Sequence, residues 1–160
     1  MKKFIVLVFL TIISICAFAQ EESYPYHLSI GGGGMIHKDS FFGGLFDLSF
    51  NRSIVSYLRV GADISLADKF KKDDTQKESL FQKYAIFAAI AADKKEYGYM
   101  ISLGPSYLNA QNISCVGIDF GLKMWISCLS EHFCVGLQAA GDWNKQYSFA
   151  QNGVFLMYRF

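Results

Sequence analysis

The sequence predicts one all-β domain, an eight-stranded antiparallel up-and-down transmembrane β-barrel. Hydrophobic residues fill 52% of the 160 positions and charged residues 18%, which excludes a disordered or solvating chain. Apolar and polar residues alternate with a period of two over long segments. After position 19 the longest apolar run, Tyr84 to Ala92, has nine residues, where a spanning helix needs about 18. A chain this apolar must either bury its apolar surface in a soluble core or turn it toward lipid as a closed barrel.

The first 19 residues read as a secretion signal and are set aside before the fold is considered. Lys2 and Lys3 form a basic start, Phe4 to Ile15 an apolar stretch, and Ala17-Phe18-Ala19 a small-x-small cleavage site before Gln20. The barrel domain is therefore placed at residues 20–160. Lipidation at Cys16 is the alternative, weakened by the bulk of Ile15. Loss of the two lysines takes the formal charge from +1 to −1, which gives no electrostatic case for nucleic acid.

Tyr26 to His37 opens the series of strands. It contains Gly31 to Gly34, read as a place of close approach and coiling, since the Lys-Ser/Thr of a phosphate loop is missing. From Phe41, one face takes Phe42, Gly44, Phe46, Leu48 and Phe50, while the other takes Gly43, Asp47, Ser49 and Asn51, with Leu45 the exception. Leu58, Val60, Ala62, Ile64 and Leu66 oppose Tyr57, Arg59, Gly61, Asp63 and Ser65 in the third strand. Ser79 to Ala92 also fits a helical stripe, so its strand assignment rests on its neighbours. Tyr97 to Leu108 carries Pro105, where a bulge or an early end to pairing is expected because proline has no N–H. Cys115 to Ile126, His132 to Asn144 and Asn152 to Phe160 complete the eight. Asn51 to Ile54, Asp93 to Glu96 and Leu129 to Glu131 read as tight turns at one end. Lys38 to Ser40, Ala67 to Glu78, Asn109 to Ile113 and Lys145 to Gln151 read as loops at the other.

Alternation alone does not separate a membrane barrel from a soluble barrel with an apolar cavity, but three features favour the membrane. The polar faces carry a balanced set of mid-strand charges, Asp47, Asp63, Asp119 and Asp142 against Arg59, Lys83, Lys123 and Arg159, as a narrow polar interior requires. Asp47 and Arg59 are expected to pair directly, across a turn at Arg52 to Ile54. Aromatic residues of the apolar faces gather at the strand ends. Tyr26, Phe50, Tyr97, Tyr99, Phe133, Tyr158 and Phe160 lie at the turn side, and Phe42, Tyr84, Tyr107 and Trp143 at the loop side. The chain also ends with Val154, Leu156, Tyr158 and Phe160 on one face.

That last strand resembles the terminal signal of bacterial outer-membrane barrels, in which alternating apolar residues and a final Phe are read by the assembly machinery. With the secretion signal, the strand number and the size, residues 20–160 resemble the OmpX and OmpA-type small outer-membrane barrel family. The resemblance implies a monomer in outer-membrane lipid, assembled by the barrel-assembly machinery, with its ends in the periplasm and a structural, adhesion or surface-interaction role. A minor solute channel, a lipid-modifying enzyme and a soluble secreted ligand-binding barrel are the alternatives. An interior of eight strands is filled by side chains, here including Phe81, Phe87, Met100, Trp125, Phe155 and Met157, so a general pore is not expected.

No residue pattern calls for a catalytic centre, a cofactor or a metal. His37, Asp39 and Ser40 are too close in sequence to converge as a triad, and turn chemistry explains the last two. His27-Leu28-Ser29 is similar to the His-x-Ser of lipid-A deacylase barrels, but its face points inward at the periplasmic end. Cys128 and Cys134 flank a turn on opposite faces, so a bridge between them is a minority expectation.

Overall fold

A two-faced strand must cover both its backbone groups and its apolar side chains, and closure into a barrel does both at once. In a computed structural model, residues 24–37, 41–68, 80–110, 113–145 and 148–160 are described. The strands are β1 (Tyr26–His37), β2 (Phe41–Val55), β3 (Leu58–Asp68), β4 (Leu80–Asp93), β5 (Tyr97–Ala110), β6 (Ile113–Ser130), β7 (Phe133–Trp143) and β8 (Phe149–Arg159). They form one closed antiparallel barrel in sequence order, with β1 sealed against β8 from His27↔Arg159 to His37↔Phe149. Residues 1–19, read from the sequence as a secretion signal, lie outside the described residues with Asp39 and Ser40, as do the side chains of His37 and Phe42.

The alternation sets the facing of every strand. Leu45, Asp47, Ser49 and Asn51 of β2 are buried inside, while Phe46, Leu48 and Phe50 are exposed outside. The alanine-rich β4 is a strand, because its pairing with β3 and β5 fixes the alternate residues Phe81, Lys83, Ala85, Phe87, Ala89 and Ala91 inward. Pro105 neither bulges the chain nor ends its pairing. The ladder to β4 lapses between Ala85↔Ser106 and Ala88↔Leu103 and resumes in the same register, while Pro105↔Ile118 holds on the other side.

Strand ends depart from the expectation, and one departure matters. The first tight turn lies at Ser56-Tyr57, not at Arg52 to Ile54, because the β-branched Ile54 and Val55 stay in β2. Asp47 therefore faces Ser65, and Arg59 faces Ser53, with an irregularity between Ser53 and Val55. The expected Asp47–Arg59 pair does not form, although both side chains point inward. β6 likewise runs on to Ser130, and its turn is Glu131-His132. Cys115, Cys128 and Cys134 are free thiols, with Cys134 buried inside and Cys128 exposed.

The glycine run of β1 works unevenly along the closing seam. A Cβ on Gly33 would collide with the Asn152 carbonyl and lie 2.6 Å from the Gly153 Cα, whereas one on Gly34 would meet nothing nearer than Asn152 Oδ1 at 3.7 Å. Gly33→Ala is expected to cost about 1–3 kcal/mol, since backbone must shift to admit the methyl. Gly34→Ala is expected to stay within about 0.5 kcal/mol. Urea unfolding of the two variants checks this, and equal losses would mean that the seam is not closely apposed at Gly33.

Candidate functional site

Between the turn end and the loop end, the interior is built in layers. Phe87, Ala89, Ala91, Met100, Trp125, Cys134, Phe155 and Met157 form one apolar layer near the turns, and Met35, Leu45, Ala67, Phe81, Leu108 and Phe149 form another near the loops. A charged plug closes the turn end, and a polar layer separates the two apolar ones. All eight charges assigned to the interior face inward, and Lys123 and Asp63 are the least buried, with 11% and 10% of their side chains exposed.

The plug is organised by Asp93, which the alternation of β4 sets inward two residues after Ala91. Its carboxylate accepts from Arg159 Nη1 at 2.6 Å and from Arg59 Nη2 at 3.0 Å, and its Oδ2 lies 2.8 Å from His27 Nε2. Arg59 also donates to Asn51 Oδ1 at 3.1 Å and to the Tyr24 carbonyl at 3.2 Å. Arg159 donates further to the carbonyls of Lys94 (2.8 Å), Lys95 (2.9 Å) and Glu131 (2.8 Å, from Nε) and to Ser127 Oγ at 2.8 Å. Its guanidinium lies 4.4 Å over the Tyr24 ring. Reading Asp93 as the first residue of a turn hid this role. Continuing the β4 alternation by one step is the signal that finds it.

Outside the strands, Tyr24 donates to Glu131 Oε2 at 3.2 Å, and Lys95 pairs with Glu131 at 3.0 Å. The hydrogen bond from Lys95 holds the Glu131 carboxyl below its usual range, and partial burial, with the bond to Glu131, pushes the Tyr24 phenol up.

In the central layer, Lys83 Nζ meets Asp119 Oδ1 at 2.5 Å. Lys123 Nζ lies 3.8 Å from Asp47 Oδ2 and 3.7 Å from Asp63 Oδ1, and Ser65 Oγ donates to Asp47 at 2.8 Å. Asp142 accepts from Ser106 Oγ and from Asn144 Nδ2, the latter at 2.8 Å. The arginines thus leave the four mid-barrel carboxylates to the lysines alone, which corrects the expected balance. Among the described residues, no three His, Cys, Asp or Glu side chains are arranged to hold a metal ion. His27 and Ser29 both point inward, His27 into the plug and Ser29 Oγ to within 3.5 Å of Lys123 Nζ.

The exterior is the inverse. Ile30, Phe46, Val60, Ile86, Leu103, Phe120, Met124 and Leu137 are exposed there, along with Val154, Leu156 and Tyr158 of β8 and Phe160 just after it. At the turn end Tyr26 stacks with Phe50 and Phe160, and Tyr158 packs on Phe160 and Phe133, with ring centroids 4.9–6.0 Å apart. At the loop end Tyr84 faces Tyr107 across β4 and β5, and Trp143 is exposed.

A closed wall with an apolar outside, a hydrogen-bonded charged inside and aromatic residues at both ends defines the small outer-membrane barrel class of fold. Known structures agree. The attachment invasion locus protein Ail of Yersinia pestis superposes with a TM-score of 0.62 at 11% identity, over 86% of this chain and 100% of Ail. The N-terminal β-barrel domain of Pseudomonas aeruginosa OprF gives 0.57 at 11% identity, over 84% of this chain and 97% of that domain. The outer-membrane enzyme PagL gives 0.56 at 12% identity, over 84% of this chain and 99% of PagL. At such identities the likeness is one of fold. No protein family and no curated protein matches the sequence.

Proposed function

We propose that the chain is a non-conducting integral protein of the outer membrane, secreted by way of residues 1–19 and serving a structural or surface-interaction role. The doubly sealed interior carries this reading. The Asp93 plug closes the turn end, the Met35–Phe149 layer closes the loop end, and the charges between are held by one another and by side-chain hydroxyls and amides. A soluble ligand-binding barrel needs the opposite arrangement, with apolar side chains inside and polar ones outside.

In planar bilayers the refolded protein is expected to give no stable stepwise conductance at physiological salt. Discrete openings that change with Arg59→Met or Lys123→Met would establish the minor-channel alternative. Against the enzyme alternative, His27 is engaged with Asp93 inside the barrel, out of reach of a lipid ester on the exterior.

A further inference from the structure

The central layer carries more negative charge than positive. Asp47, Asp63, Asp119 and Asp142 share Lys83 and Lys123, since both arginines are drawn to Asp93. Lys83 is taken by Asp119, and Lys123 stands between Asp47 and Asp63 within ion-pair range of each. Asp142 has neutral donors, Ser106 and Asn144, and lies directly opposite Asp119 across β6 and β7. Like charges in directly opposed positions destabilise a strand pair, and a low-dielectric surround sharpens the effect.

The charged and titratable groups facing this layer are Asp47 from β2, Asp63 from β3, Lys83 from β4, Asp119 and Lys123 from β6 and Asp142 from β7. Cys115 of β6 lies near Asp142. Among the described residues, β1, β5 and β8 contribute only uncharged groups here, among them Ser29, Ser102, Ser106 and Gln151. Two lysines against four carboxylates leave two negative charges uncompensated within the layer, and the plug's second arginine offsets one of them only across the interior.

A separate observation points to what compensates them. Ser49 Oγ, in a residue 1% exposed, has no hydrogen-bond partner among the described residues, yet its register partner is Asp63 and Asp47 is two residues along the same face. Asp63 Oδ1 lacks a hydrogen-bond donor as well, with Lys123 at ion-pair distance only. Gln151 Oε1, in a residue 6% exposed, is likewise unpartnered. Buried oxygens of this kind are normally satisfied, so oxygens without donors in a layer with surplus carboxylates point to a positively charged guest and its water.

We propose that the central layer binds compensating positive charge from solvent, up to two unit charges, as small monovalent cations or as protons. The apolar layers on either side make the site occluded, so that exchange follows opening of the barrel and not free passage through it. The inference concerns the interior alone and does not depend on the membrane in which the barrel resides.

The test is urea unfolding of the refolded full-length barrel in neutral detergent, followed by Trp125 and Trp143 emission. In one arm, sodium chloride is exchanged for N-methylglucamine chloride at constant ionic strength. In the other, pH is varied from mildly acidic to mildly alkaline in the bulky salt. Cation binding raises the unfolding midpoint in sodium. Proton uptake lowers the midpoint as pH rises, because the folded state then holds more protons than the unfolded one. Asp142→Asn is expected to raise the midpoint at neutral pH and to flatten whichever response the wild type gives. Gln151→Lys, which supplies a fixed charge, is expected to do the same and stands in if the first variant does not fold. A wild-type midpoint indifferent to both sodium and pH would overturn the proposal. So would a folded Asp142→Asn barrel that keeps the full response.

Discussion

Asp93→Asn is expected to destabilise the barrel by about 3–5 kcal/mol, the cost typical of removing one partner from a buried ion pair. The substitution preserves the shape of the side chain but leaves the buried guanidiniums of Arg59 and Arg159 without their shared counter-ion. Arg59→Met in the same chain should restore part of the loss, because one stranded charge is then removed with its partner. The exposed Lys95–Glu131 pair provides the control, and its disruption should cost far less, because solvent screens it. Reversible urea titrations decide the matter. An Asp93→Asn loss no larger than the control would mean that Asp93 is not the centre of the plug.

Deleting Phe160, or replacing it with aspartate, is expected to remove most of the protein from the outer membrane while leaving the proposed cleavage after Ala19 unchanged. Phe160 donates its N–H to the Tyr26 carbonyl at 3.0 Å, accepts from the Tyr26 N–H at 2.8 Å and stacks on Tyr26 and Tyr158. It thereby ends the seam between the first and last strands, and the resemblance of the terminal pattern implies that the assembly machinery reads it too. Cell fractionation with sequencing of the processed N-terminus separates the two steps. Undiminished outer-membrane yield from the truncated chain would remove the functional meaning of the terminal pattern.

What was legible in the sequence is what a period of two encodes. Inside or outside follows from parity, so Asp47, Arg59, Lys83, Asp119 and Trp125 take the inner face whatever their partners. Partners depend on register, and register depends on where each turn falls. Ile54 and Val55 moved one turn toward Ser56-Tyr57 and thereby changed the partner of Asp47 from Arg59 to Ser65. Asp93 was hidden because charged residues follow it and because alanine-rich β4 speaks weakly for any structure. Tyr24 lies outside every periodic segment, so nothing local announces that its ring packs under the Arg159 guanidinium. Gly33 and Gly34, which differ widely in tolerance, are identical as letters and differ only in what the opposing backbone does.

Arg159 draws together groups that are far apart along the chain: Asp93, the carbonyls of Lys94, Lys95 and Glu131, and the hydroxyl of Ser127. All of these are synthesised before it. Until β8 reaches its register, those carbonyls and that carboxylate have no common donor, and the floor of the barrel stays open to water. Closing the wall and stopping the floor are therefore coupled through Arg159, the final residue of β8. Sealing of the floor thus reports on the pairing of β8, and a barrel whose wall is open is also one whose plug is incomplete.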